Sequence, residues 1–220
     1  PAANWFFSHW SGGCTGDGAC QVTMDGDKTV TATFYMQHAI DLVEGWNLIS
    51  FNVAPPDTSI TTVLGSLGDS YTLVYAWDAN AAAWLKFDPS TDIGNTLENL
   101  DETMGFWIKV TGNPTLTVYG NPPTTTDIPL SAGWNLVGYP SSENQALPGA
   151  LTNNIDPVEV DLTMVMGYQA QDAGDPWKMY DPALAGSAPY ANDLIELSPG
   201  WGFWVQVDTP ATWTVDFVLP

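Results

Sequence analysis

Apolar and polar residues alternate with a period of two through several short segments of this chain, the pattern of β-strands with one face on a core. In "GWNLISFNV" (45–53), Trp46 and Leu48 fall on one side, and Asn47, Ile49 and Phe51 on the other. The segments "YTLVYAW" (71–77) and "GFWIKV" (105–110) are equally rich in β-branched and aromatic residues. The alternation predicts an all-β protein with mainly antiparallel strands.

One segment departs from this alternation. In "DTSITTVLGSLG" (57–68) the apolar residues recur at helical spacing, at Ile60, Val63, Leu64 and Leu67, and Gly68 follows as a stop. Residues 57–59 offer side chains that can cap a helix start. A short helix is therefore predicted here, and the looser "LPGALTNNIDP" (147–157) predicts a shorter or irregular turn later in the chain.

The same order of signals occurs twice along the chain. "GWNLIS" (45–50) corresponds to "GWNLVG" (133–138), "WLKFDP" (84–89) to "WKMYDP" (177–182), and "MGFWIKV" (104–110) to "WGFWVQV" (201–207). The offset grows from 88 to 93 to 97 residues, which a duplicated unit with small loop insertions explains. We expect unit A at 40–120, a Pro/Thr linker at 121–127 and a homologous unit B at 128–220. Each unit is predicted as a five-stranded small barrel or sandwich with a short helix.

Six of the 11 tryptophans occupy equivalent positions in the two units. Because alternation groups them with apolar neighbours, we predict that they form the structural core of the repeats: Trp46 with Trp134, Trp84 with Trp177, and Trp107 with Trp204. Trp77 corresponds to Tyr168, and four tryptophans lack an aromatic counterpart, namely Trp5, Trp10, Trp201 and Trp213. Scattered over two regions, they make a weak platform for stacking on sugars.

The two cysteines, Cys14 and Cys20, lie in "CTGDGAC", a glycine-rich loop of a size that one disulfide can close. Two free thiols are the alternative. A zinc site is disfavoured, because it needs four ligands and the two histidines, His9 and His38, show no ligand spacing to the cysteines. A single loop disulfide favours an oxidising, extracellular compartment.

The first part of the chain, residues 1–38, belongs to neither unit. Trp10 to Gly12, the cysteine pair, Val22 to Met24 and Val30 to Phe34 resemble the second half of the divergent internalin-type B-repeat of bacterial surface proteins, over residues 5–34. The first half of that repeat is missing. Units A and B resemble the tandem "GWNLIS…GFW" modules of bacterial and archaeal surface proteins. The resemblance implies an extracellular or cell-surface setting, repeated modules and no catalysis.

Composition restricts the partners. The chain carries 25 acidic residues, four lysines and no arginine, a net charge of −21. Without a basic patch it cannot release counterions from phosphates, so we expect neither nucleic acid nor anionic lipid as a partner. No run approaches the roughly 20 apolar residues of a membrane span, so no membrane insertion is expected. Cations, sugars and other proteins remain as candidate partners.

The sequence offers few candidate residues for catalysis or for metal binding. With two histidines, both early in the chain, a Ser-His-Asp arrangement has almost no members. Paired carboxylates of the glycosidase type stay open, but none lies in a distinctive motif. Turns such as "GDG" (16–18), "DGD" (25–27) and "DAN" (78–80) offer oxygen ligands, yet none has the loop spacing of a calcium site. We expect no enzyme and no cofactor, with calcium as the disfavoured alternative.

Both ends of the chain are apolar, in "PAANWFF" and "VDFVLP". A half-repeat without its partner strands leaves a free sheet edge, which a neighbouring copy can cover by strand addition, and head-to-tail contacts of that kind build a filament. The expected assembly contacts are Trp5, Phe6, Phe7, Trp10, Phe217, Val218 and Leu219. An accidental boundary within the repeat is the alternative. The sequence thus favours a non-enzymatic, extracellular structural or adhesive module that self-associates; the alternative function is a carbohydrate-binding module of a larger secreted protein.

Overall fold

The structure is a computed structural model that describes residues 4–152, 155–156 and 162–218. Antiparallel strands dominate it, together with two short α-helices in the described ranges, so the predicted all-β class is confirmed. The described strands form several small sheets, and none of these sheets closes into a barrel.

The N-terminal region is a two-stranded ribbon made of β1 (Trp5–Gly12) and the first half of β2 (Val30–Asp41). The predicted disulfide joins Cys14 and Cys20 in the loop between them, with their Cα atoms 5.6 Å apart. The Trp10 indole donates a hydrogen bond to the Gly18 carbonyl, 2.9 Å away, and so holds the loop against the ribbon. The disulfide indicates a secreted or extracellular protein.

Unit A is a sandwich of two layers. Its elements are β3 (Gly45–Ile49), α1 (Ile60–Val63), a 3₁₀ turn (Gly65–Leu67), β4 (Tyr71–Asp78), β5 (Ala83–Phe87), β6 (Phe106–Val110) and β7 (Thr115–Gly120). One layer is a four-stranded sheet in the order β3-β6-β4-β5. The other layer pairs β7 with the second half of β2. The core between the layers includes Ile40, Val74, Phe106 and Leu116.

Unit B repeats this arrangement. Its elements are β8 (Thr125–Leu130), β9 (Gly133–Val137), β10 (Gln145–Ala146), α2 (Gly149–Thr152), β11 (Ile155–Asp156), β12 (Leu162–Tyr168), β13 (Trp177–Tyr180), 3₁₀ turns at Pro182–Leu184 and Pro189–Ala191, β14 (Glu196–Leu197), β15 (Phe203–Val207) and β16 (Ala211–Asp216). The four-stranded sheet has the order β9-β15-β12-β13, and the second layer is β8-β16-β11.

The duplication extends to details of strand register. The pairing of β4 with β6 shifts between Tyr71 and Leu73, and that of β12 with β15 shifts at the equivalent place, between Leu162 and Met164. The two units therefore share both their strand order and the position of a register shift, as the predicted repeat requires. Unit A has six strands rather than the predicted five, because the end of β2 supplies one of them.

The helical prediction for unit A is confirmed. All four residues of the predicted stripe are buried, and the α1 turn continues into the 3₁₀ turn before Gly68. The Asp57 carboxylate accepts hydrogen bonds from the Ser59 N–H and the Thr62 hydroxyl, which lower the pKa of Asp57. In unit B only the single turn α2 remains.

Two expected domain boundaries differ from the structure. Strand β2 runs without interruption from the ribbon into unit A, so residue 38 does not separate two domains. The segment 121–127 is largely exposed, as expected of a linker, but it is tied to unit A, because Asn121 exchanges two backbone hydrogen bonds with Ala54. Its last residues begin β8, where the side chain of Thr126 is buried. The density of proline and threonine correctly indicated the segment that connects the two units, but it did not indicate how that segment packs.

The repeated "GWN" has a local structural reason. Gly45 and Gly133 adopt φ angles of +100° and +95°, a conformation that favours glycine. The buried Asn47 side chain accepts a hydrogen bond from the Val43 N–H and donates back to the Val43 carbonyl, at 3.0 and 2.7 Å. Asn135 makes the same two bonds with Ser131, both at 2.8 Å. Each asparagine thereby closes the turn that leads into the first strand of its sheet.

We predict that Asn47→Ala and Asn135→Ala each lower the free energy of unfolding by about 2–3 kcal/mol, because backbone groups in the turn lose their partners where water does not replace them. Urea denaturation followed by tryptophan fluorescence measures the change. The control is Asn113→Ala, which removes one exposed hydrogen bond to the Glu44 N–H and should cost less than about 1 kcal/mol. Equal losses in all three variants would contradict the role of the turn.

Candidate functional site

The two units meet through a pair of equivalent backbone contacts. The Gly105 N–H approaches the Leu136 carbonyl at 3.4 Å, and the Gly202 N–H approaches the Leu48 carbonyl at 3.3 Å. A Cβ atom on Gly105 would lie 2.5 Å from the Val137 carbonyl oxygen, and one on Gly202 would lie 2.7 Å from that of Ile49. The glycine of the repeated "GFW" is therefore required for the close approach of the units.

Side chains seal the same junction. Leu48 and Leu136 are almost fully buried, yet neither belongs to the core of its own unit. The buried Ser50 hydroxyl donates to the Trp201 carbonyl at 2.7 Å and accepts from the Tyr139 N–H at 3.2 Å. These contacts are polar and buried, so they fix one relative position of the units rather than a sliding interface.

The six repeat-equivalent tryptophans lie outside both cores, so the prediction that they form the core is wrong. They lie on the outer faces of the two four-stranded sheets, where Trp84 is 48% and Trp177 43% exposed and the other four are half-buried. The inner faces of the same strands carry other apolar residues, such as Phe106, Ile108 and Val205. Alternation assigned the tryptophans to one face correctly but could not tell which face was covered.

The unmatched tryptophans lie elsewhere in the fold. Trp213 is completely buried in unit B, where its indole donates to the Ala150 carbonyl at 3.0 Å. Trp201 packs partly buried against the same core. Trp10 packs on Phe7 in the ribbon, with ring centres 4.9 Å apart. None of these three rings joins the outer aromatic face.

The outer faces form two grooves, which we call groove A and groove B. Groove A is a cavity of about 480 Å³ lined by Trp46, Tyr75, Trp84 and Trp107. Groove B is a cavity of about 340 Å³ lined by Trp77, Trp84, Trp134, Met166, Trp177 and Trp204. The four residues of groove A correspond in the repeat to Trp134, Met166, Trp177 and Trp204 of groove B. The site is thus duplicated together with the fold.

Rings from one unit pack against rings of the other across the junction. Trp107 of unit A lies 5.0 Å from Tyr168 and 5.7 Å from Trp177 of unit B. In the equivalent contacts Trp204 lies 6.0 Å from Trp77 and 5.6 Å from Trp84. Rings of both units line groove B, and Trp84 and Trp107 of groove A contact rings of unit B, so the continuous aromatic surface exists only in the joined pair.

Tyr75, Trp77, Met166 and Tyr168 belong to this surface and were not identified as site residues from the sequence. A signal for the exposed face was present in the alternation itself. Lys109 follows Trp107 on the same side of β6, Lys86 follows Trp84 in β5, and Gln206 follows Trp204 in β15. A lysine or glutamine two residues from a tryptophan in a strand indicates that this face meets water.

Charge is distributed unequally around the two grooves. Beside groove A, the Lys109 ammonium lies 5.9 Å from the centre of the Trp46 ring, and Lys86 pairs with Asp88 at 3.5 Å. On the face of β13 opposite to Trp177, Lys178 pairs with three aspartates at 3.1 to 3.8 Å, Asp172, Asp175 and Asp193. The bond to Asp172 raises the pKa of Lys178 and lowers that of Asp172.

The residues expected to contact a neighbouring copy make contacts within the chain. Trp5, Phe6 and Phe7 pair with residues 34–36 of β2, and Phe217 packs against the core of unit A. Phe217 is thus not free for a partner, and the C-terminal segment crosses back to the first unit. Val218 and Phe6 stay 42% and 44% exposed, and Leu219 lies outside the described residues.

Metal ligands do not converge in the described ranges. No group of three or more histidine, cysteine, aspartate or glutamate side chains is placed there to hold a metal ion. The aspartates that end the repeated segments "WLKFDP" and "WKMYDP" close turns: Asp88 accepts a hydrogen bond from the Ser90 N–H at 3.0 Å, and Asp181 accepts one from the Ala183 N–H at 2.8 Å. In the same ranges no helix is long and apolar enough to cross a membrane.

Comparison with known proteins finds no matching family model, curated protein or solved structure. The resemblances to the internalin-type repeat and to the tandem surface modules stay predictions.

A histidine side chain lies at the junction of the units. His38 borders a cavity of about 200 Å³, together with Asp41, Gln171 and Gly200. Its Nδ1 accepts a hydrogen bond from the Asn52 N–H at 3.0 Å, which requires the proton of the neutral ring to be on Nε2. Burial lowers the pKa of His38 to about 4. The neutral form is therefore the one that the fold accommodates.

We predict that the protein loses stability as the pH falls from the unfolded-state pKa of about 6.5 to about 4, because the unfolded chain binds a proton at His38 that the folded chain excludes. The loss is at most about 3 kcal/mol. His38→Gln should flatten the unfolding free energy in this window, whereas His9→Gln, on the exposed ribbon, should retain the wild-type slope. Parallel profiles for the wild type and His38→Gln would contradict this assignment.

Proposed function

We propose that this chain is a carbohydrate-binding module of a secreted or cell-surface protein, in which grooves A and B stack their aromatic rings on sugar faces. The proposed role is adhesion to glycans, and it includes no catalytic step. It rests on one observation: six tryptophans at equivalent repeat positions lie on an outer face and line two related grooves. This is the alternative that the sequence left open, and the position of the rings now favours it.

The chemistry of the lining supports sugars over a protein partner. Aliphatic residues dominate neither groove; the lining is tryptophan and tyrosine with one methionine. Aromatic rings offer flat apolar faces that match the C–H face of a pyranose, and the Tyr hydroxyl and Trp N–H can bond to its hydroxyl groups. Exposed aromatic patches with polar neighbours mark interaction sites.

The rigidity of the junction also supports binding. Rings held by packing across two units lose little freedom when a ligand arrives, so less affinity is lost to ordering. Two related grooves on one rigid body allow a polymer to occupy both at once, which raises the overall affinity over that of one groove. A polysaccharide or a glycan with repeated units fits this geometry better than a single monosaccharide.

We predict that Trp84→Ala weakens binding of a neutral hexasaccharide by about tenfold, near 1.4 kcal/mol, because Trp84 lines both grooves. Isothermal titration with cellohexaose, xylohexaose and hexa-N-acetylchitohexaose measures it. Tyr190→Ala is the matched control, since that ring is 89% exposed and lies outside both grooves. Circular dichroism checks the fold of both variants. The proposal fails if none of the three sugars binds, or if Trp84→Ala binds as the wild type does.

Self-association through the ribbon is the second candidate function. Val30, Phe6 and Phe34 are 37%, 44% and 38% exposed there, and β7 pairs with β2 only from Met36 onward. The ribbon therefore keeps free strand edges beside apolar side chains, the arrangement that accepts an added strand.

Sedimentation velocity tests this second candidate. Association through the ribbon predicts species larger than the 23.7 kDa chain that grow with concentration. A Val30→Thr and Phe34→Thr double variant, which keeps β-branched or strand-compatible residues, should shift the distribution toward single chains. A wild type that sediments as one chain at every concentration would exclude the assembly.

A further inference from the structure

The two grooves share their rings but differ at the polar positions of the same faces. In β6, Lys109 is directly opposite Trp46 of β3, whereas the equivalent Gln206 of β15 is opposite Trp134 of β9. Lys86, which follows Trp84 in β5, has the uncharged Met179 as its counterpart in β13. Groove A therefore has two lysines at its rim where groove B has none.

Lys109 differs from the other three lysines of the chain in its partner. Lys28, Lys86 and Lys178 each pair with at least one aspartate. In the described part of the chain, Lys109 has no carboxylate within ion-pair distance, although the protein carries 25 acidic residues, and its ammonium lies over the Trp46 ring instead. Groove A thus supplies its own cation to the face of a tryptophan, the strongest aromatic partner for a cation.

Groove B has the corresponding ring without the cation. Its rim carries Gln206 in place of the lysine, opposite Trp134. The negative quadrupoles of the several indole rings that line this groove attract positive charge. The net charge of −21 adds a long-range attraction of the same sign.

We propose that groove B binds glycans that carry an ammonium group, such as the free amine of a deacetylated amino sugar, whereas groove A, with Lys109 already over Trp46, takes neutral sugar. This inference rests on the proposed carbohydrate binding and names its ligand class. The ammonium of the ligand occupies in groove B the place, over the Trp134 ring, that the Lys109 ammonium holds over Trp46. No bond forms or breaks.

A matched pair of ligands tests the charge directly. Hexa-N-acetylchitohexaose is neutral, and the fully deacetylated glucosamine hexamer has the same sugar backbone with protonated amines in mildly acidic buffer. We expect the cationic hexamer to bind the full chain about tenfold more tightly in titration calorimetry at low salt. Gln206→Lys, which copies groove A into groove B, should remove this preference.

Two controls separate the groove from general attraction to an acidic protein. Gln21→Lys adds the same charge on the exposed loop of the ribbon and should leave the preference unchanged. Trp177→Ala keeps the charge and removes a ring of groove B, so it should reduce the preference as Gln206→Lys does. Equal reduction by Gln21→Lys, or an unchanged preference in Trp177→Ala, would mean that charge alone attracts the hexamer and would overturn the inference.

The outcomes distinguish this inference from the proposed function. If both hexamers bind equally well, carbohydrate binding stands and the ammonium site is excluded. If neither hexamer binds, the ammonium site is also excluded, while the cellohexaose and xylohexaose titrations with Trp84→Ala decide carbohydrate binding independently.

Discussion

The close approach of two backbones at Gly105 and Gly202 is the constraint on which the remaining surface depends. A Cβ atom at either position would collide with a carbonyl of the other unit, so a larger residue would push the units apart. Separation would break the contacts of Trp107 with Tyr168 and of Trp204 with Trp77, and would remove from groove B the wall that Trp77 and Trp84 of unit A supply. By permitting this close approach, the two glycines allow the outer faces of the two sandwiches to form one rigid aromatic surface.

Duplication explains both the symmetry of this surface and its departures from symmetry. Each unit packs its own leucine, glycine and tryptophan against the other, so one ancestral surface patch is used twice, as in a two-fold dimer. Once the copies share a chain, they are free to diverge separately. The structural members Gly105, Gly202, Asn47 and Asn135 stay the same in both copies, whereas the rim positions 109 and 206 differ in charge. The two copies therefore share the residues that hold the fold together and differ in charge at the rim of the aromatic surface.

The tryptophans show where alternation is informative and where it is ambiguous. In a strand such as β6, both faces carry large apolar side chains: Phe106, Ile108 and Val110 line one side, and Trp107 lies on the other. Period two separates the two sets without identifying which one contacts the second layer. The lysine two residues after Trp107 is the local evidence that its side meets water. Burying Lys109 in a core would leave an unpaired charge there, at a large cost in free energy. The position of Lys109 is therefore stronger evidence about this face than the apolar neighbours of Trp107.

The sequence by itself determined the all-β class, the duplicated unit, the helical turn at 60–67 and the cysteine pair, because each depends on local spacing that either copy of the repeat displays. It also marked the residues of the candidate site, since the six tryptophans recur at equivalent positions. Only the tertiary structure decided their role. Whether a strand face is covered depends on which layer packs against it, and that layer forms only when β2 pairs with β7 in unit A and β8 with β16 in unit B, strands from opposite ends of each unit. The junction likewise joins residues such as Ser50 and Trp201, which no local pattern relates.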